Sequence, residues 1–201
     1  MNARKLLEYG GLVAGVVLIV FGVAAIWMGV DGRSTVRDSL KEEQIFFSDT
    51  SDPAVAKHAS EWAEEQVVTG EQARAFAQVM REHALESAGG LTYAQMGRFQ
   101  LASNPDDPKG TSDEALAAKD ESGAPIANSA RNTWVTETAL STALNVSYMA
   151  EQLSIFGIVV GVALLLAGIG FIILALVALG GVLSGKAVES ATRSSAPAAS
   201  H

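Results

Sequence analysis

Apolar positions along the chain gather into two long blocks, with a polar and helically patterned stretch between them. The first block runs from Tyr9 to Val30, and the second, Ile155 to Leu183, contains no charged residue and no proline. Uncharged apolar runs of this length suit a helix crossing the ~30 Å hydrocarbon layer of a membrane. The residues ahead of the second block, from Asn128 onward, keep helix-compatible spacing. One continuous helix of roughly 55 residues, about 80 Å long, is therefore expected over 128–183. Its polar first part would stand outside the bilayer as a stalk. On that stalk Val135, Ala139, Thr142, Val146, Met149 and Leu153 share a face, read first as internal packing and second as partner contact.

The middle of the chain reads as a small helical domain. The first helix is expected to continue past Val30 through Val36 and Leu40, and Gln44–Ser48 suits a short strand or an apolar anchor. Asp52-Pro53 is a helix start, with cap and proline in favoured places, and Val55, Ala59, Trp62, Ala63 and Val67 would follow as one helical face. Thr69-Gly-Glu-Gln72 has the form of a capping box, opening a helix striped by Ala73, Phe76, Ala77, Met80, Ala84 and Ala88 and closed by Gly89-Gly90. Thr92–Gln95 repeats the capping pattern for a short helix to about Ala102. Asp113–Lys119 would add two helical turns between proline- and glycine-rich loops. The fold class expected is all-α: a two-helix transmembrane hairpin with a long continuous second helix and a small helical extracytoplasmic domain. Its segments are a tail at 1–8, a span at 9–30, the outer domain at 31–153 with its stalk from 128, a span at 154–183, and a disordered tail at 184–201.

Charge sharpens this layout. The formal net charge of −8 lies mostly between the spans, where acids outnumber Lys and Arg about two to one. Such a surface repels nucleic acid, so none is expected as a partner. Arg4 and Lys5 precede the first span and Lys186 and Arg193 follow the second, which places both termini in the cytoplasm and 31–153 outside. Glycines recur at helix-packing intervals in both spans: Gly11, Gly15 and Gly22 (then Gly29) in the first, Gly157, Gly161 and Gly168 in the second. They are expected to pack the spans on each other, with contact to a partner or to another copy as the sharper alternative. Membrane lipid and other integral membrane proteins, or further copies of the chain, are the expected partners.

Candidate chemistry is sparse. The chain has no cysteine, which removes disulfides and thiolate chemistry. His58 with Glu61 and His83 with Glu86 each stand three residues apart, a spacing at which helical side chains share a face and can chelate a metal. Glu65 and Glu82 lie nearby, but the order is the reverse of the Glu-x-x-His carboxylate-bundle motif and no two further helices supply Glu, so these four are minor candidates, and no cofactor or catalytic group is expected. The runs His83–Ala94 and Arg131–Leu140, with Tyr148-Met-Ala-Glu151, resemble blocks of an actinobacterial family of two-span membrane proteins, some labelled aromatic ring-opening dioxygenases. The resemblance implies an actinobacterial plasma membrane. The oxygenase label would require two His and a carboxylate converging on iron. The function expected is a non-enzymatic accessory or scaffolding subunit of a larger membrane assembly, a respiratory complex being one host. The alternatives are a homo-oligomer built through spans and outer helices, and a metal-binding enzyme or sensor using His58 and His83.

Overall fold

Helix-forming periodicity wins over most of the chain. A computed structural model describes the backbone of residues 3–194 and the side chains of 9–177. Four α-helices appear there: α1 (Ala3–Glu42), α2 (Pro53–His58), α3 (Gly70–Ser87) and α4 (Ser129–Ser194). The chain is all-α, and its only extended pairings among the described residues are isolated antiparallel bridges. Both α1 and α4 contain stretches long and apolar enough to cross a membrane, Tyr9–Glu42 and Ser129–Val177. Helix α4 is continuous for 66 residues. It runs past the expected end at 183 into the segment expected to be disordered; 1–2 and 195–201 lie outside the described residues. Nothing in 128–194 stops the helix, because no proline occurs there and glycine alone costs a helix only about 1 kcal/mol.

The chain divides into two compact units, Met1–Asp31 with Ser154–His201, and Gly32–Leu153. In the first unit α1 and α4 run antiparallel. Gly15 lies against Gly168, Gly22 against Gly161, and Gly29 against Ser154. The second unit holds the end of α1, then α2, α3 and the first part of α4. Its larger core gathers Leu40, Phe47, Val55, Val67, Val79 and Leu144. Phe47 is its centre, with the Phe76 ring edge-on at 5.3 Å and the Trp62 ring stacked at 6.3 Å. A second cluster joins Ala84, Ala88 and Met96 to Trp134.

Three sequence expectations fail in this second unit. The helix begun at Pro53 ends at His58 instead of running to Val67. Ala59 leaves helical geometry, Ser60–Trp62 form a single 3-10 turn, and Glu64 turns back at φ 63°. Backbone pairing is the cause: the Phe47 N–H donates to Glu65 and the Val67 N–H to Ile45. Val55, Ala59 and Val67 are still buried, but not as one helical face. Of the two alternatives for Gln44–Ser48, strand and apolar anchor, the structure has the anchor: Phe46 makes one bridge to Gln66 while Phe47 enters the core. The short helix after Thr92 stops at Gln95, and 113–119 is not helical. There Phe99 pairs with Thr111 and Ala127, and Leu101 with Ala117. Gly97, Pro105, Pro108, Gly110, Gly123 and Pro125 break the region too often for a helix to propagate. By contrast, α3 opens on the expected capping box between Thr69 and Gln72 and closes with Gly89 and Gly90 at positive φ, the Gly90 N–H reaching Leu85.

Candidate functional site

Glu151, on α4, is a buried acid of the second unit, only 4% exposed. Its Oε1 accepts from Arg33 Nε at 2.9 Å and Arg37 Nε at 2.8 Å, two side chains one helical turn apart on α1. Its Oε2 accepts from the Gly70 N–H, the first residue of α3. A carboxylate at a helix N-terminus satisfies an unpaired donor and meets the positive end of the helix dipole. Burial alone would raise the Glu151 pKa; the Gly70 N–H and the two arginines outweigh it and hold the carboxyl below its ordinary value. A Cβ at Gly70 would approach Tyr148 Cα and Glu151 Oε2 to 2.9 Å, so only glycine lets α3 begin there. One side chain thus ties together α1, α3 and α4. The cluster is absent from the expected site residues, although the sequence carries a trace of it: two arginines at i and i+4 just after the first apolar block, and one acid just before the second.

The four candidate metal ligands are not brought together. His58 Nε2 bonds Glu82 at 2.7 Å, and Lys57 grips the same carboxylate at 2.9 Å. These bonds hold the Glu82 carboxyl below its usual range, Lys57 contributing most and His58 next. His83 pairs with Asp52 at 3.0 Å. Glu61 lies on the 3-10 turn rather than on the helix of His58, so the three-residue spacing no longer places the two on one face. Glu86 shares α3 with His83, whose ring is directed to Asp52 instead. Both histidines fasten α2 to α3, and no group of three potential ligands occurs among the described residues.

No protein-family model matches the chain, and no curated protein or solved structure is detectably similar to it. The residues themselves carry the reading.

Among the expected helix-packing glycines, the structure separates two classes. A Cβ at Gly15, Gly22, Gly161 or Gly168 would come within 2.7 Å of a backbone oxygen on the facing helix, too close for any side chain. Gly11 meets only Ala175, at 3.5 Å, and Gly157 has 3.8 Å to Ala25. The working interval is therefore seven residues, not four. Gly15, Gly22 and Gly29 oppose Gly168, Gly161 and Ser154, and Ser154 and Ala175 complete a row that sequence reading had only half assembled.

Two further features lie within the second unit. A crevice of about 470 Å³ has Leu40, Phe76, Met80 and Leu144 among its lining, with Glu43 and Ser147 as polar members. Beside a smaller cavity lined by Arg81 and Trp134, Glu137 keeps one buried carboxylate oxygen without a hydrogen-bond partner. Burial raises the Glu137 pKa against the opposing pull of His83. The stalk face expected to pack internally does not do so: Val135, Val146, Met149 and Leu153 are 50–70% exposed.

Proposed function

We propose that this chain is an integral membrane protein that crosses the bilayer twice, with both termini cytoplasmic and residues 31–153 outside. It serves there as a non-enzymatic accessory or scaffolding subunit of a larger membrane assembly, and belongs with the actinobacterial two-span proteins its two sequence blocks resemble. The observation that carries this reading is the division of labour among its side chains. Ionisable groups such as Glu151, Arg33, Arg37, His58, Glu82, His83 and Asp52 bond one another and fasten helices. Large apolar side chains on the second unit, among them Phe46, Leu116, Leu140 and Met149, remain exposed. Large apolar side chains left exposed on a water-facing domain are surface available for contact with other proteins. Gentle detergent extraction from native membranes, with identification of co-migrating proteins, tests the proposal. A fixed set of other integral membrane proteins is expected. A chain that migrates without any of them contradicts the subunit role.

A further inference from the structure

Helix α4 within the second unit turns one face to its own domain and an apolar stripe away from it. One face is buried in its own domain, through Trp134, Leu144 and the carboxylate of Glu151. A surface helix normally turns polar residues to water on the far side. Here the far side is Val135, Ala139, Thr142, Val146, Met149 and Leu153, at strictly alternating intervals of four and three. All six are exposed, Met149 and Leu153 at 68% and 70%. Alternation of this kind is the seam of a left-handed coiled coil, in which both helices present such a stripe.

From this stripe we infer that α4 pairs with α4 of a second copy of the chain, parallel and in register. Three observations select that occupant, and they rest on the membrane reading above. Copies inserted in one membrane share an orientation, so their α4 helices run parallel with equal residues at equal depth, as a parallel seam demands. The positions flanking the seam are Thr136, Thr138, Ala143, Asn145, Ala150 and Gln152, none of them charged. Flanking charges decide partner choice in coiled coils, and a chain meeting its own copy must avoid like charges across the seam. The two charged residues between Val135 and Leu153 are Glu137 and Glu151, both at the position opposite the seam. The same alternation also continues along α4 through Phe156, Val160, Ala163, Ala167, Gly170, Leu174 and Val177. A partner must therefore offer a helix apolar both in water and in lipid, and α4 itself is such a helix. At the top of the stripe a shallow apolar depression, lined by Tyr93, Trp134, Val135, Thr138, Ala139 and Thr142, leaves room for the neighbour's Val135.

The absence of native cysteine makes the test direct. Val146→Cys, Met149→Cys, Leu153→Cys and, off the seam, the exposed Leu140→Cys are made singly in the full chain and oxidised in native membranes. Disulfide-linked dimer is expected at the three seam positions at least about tenfold above Leu140→Cys, because only seam residues bring their Cβ atoms near bonding range. Val146→Glu should abolish the dimer seen by native mass in gentle detergent while the chain stays resistant to protease. Equal crosslinking at all four positions, none at the seam, or crosslinks only to a different protein would each overturn the pairing. Resistance to carbonate extraction, measured on the same samples, reports separately on the membrane reading: release into the supernatant sinks that reading, whatever the crosslinking pattern.

Discussion

Helices α1 and α4 meet in both units, and the two meetings are built from opposite materials. In the first unit the contact is backbone on backbone: glycines every seven residues admit the facing helix so closely that no Cβ fits. In the second unit the helices are held through side chains, with Leu40 and Leu144 in a shared core and Glu151 gathering Arg33, Arg37 and Gly70. On the two-span reading proposed above, the difference follows from solvent. Lipid gives apolar side chains no reason to leave it, so helices associate there through shape and close approach. Water drives apolar side chains together, and a buried carboxylate is tolerable when both its oxygens have donors.

This contrast can be broken most severely at the glycine row. Gly22→Leu should cost more than about 3 kcal/mol, because overpacking a site with no slack forces the helices apart. Gly10→Leu, where nothing lies within 4 Å, should leave the hairpin intact. Protease resistance of the two variants in membranes compares them. Next in size, Glu151→Ala should destabilise the second unit by roughly 2–3 kcal/mol, less than a fully buried pair because both arginines are partly exposed. Urea unfolding followed by tryptophan fluorescence measures it.

Acid should reproduce part of that loss. The Glu151, Asp52 and Glu82 carboxyls are all held below their ordinary values. Their stabilisation is complete above the ordinary carboxylate range and disappears as pH falls through the lowered values. Unfolding midpoints should thus drop below about pH 4.5, the ordinary value for Glu151 and Glu82, and Glu151→Gln should flatten that dependence. A smaller effect is expected at the α3 cap: Thr69→Ala, losing the Gln72 N–H partner, should cost about 1 kcal/mol. Smallest, Glu137→Gln should stabilise the fold at neutral pH by up to ~1 kcal/mol, since it removes a charge that burial disfavours. That gain should fade in acid, where Glu137 is itself protonated.

How much the sequence could disclose depended on the range of the interactions involved. The two apolar helices, the α3 capping box and the Gly89-Gly90 stop are written in neighbouring residues, and were legible. The end of α2 at His58 was not, because it is imposed by pairing of 45–47 with 65–67, a contact between segments with no local mark. His58 and His83 misled for the same reason, their spacing suggesting partners on their own helix while Glu82 and Asp52 lie on another element. The Glu151 cluster joins residues more than 110 positions apart; its charges flank the two apolar blocks, but no local pattern pairs them.

The central claim is the two-span topology with the second unit outside, and single cysteines in an otherwise cysteine-free chain test it directly. Intact cells carrying Leu116→Cys, Asn2→Cys or Val20→Cys would be treated with a membrane-impermeant maleimide. The account predicts that Leu116→Cys is labelled at once, Asn2→Cys only after permeabilisation, and Val20→Cys in neither condition. Labelling of Asn2→Cys on intact cells with Leu116→Cys protected, or of Val20→Cys in either state, would contradict it.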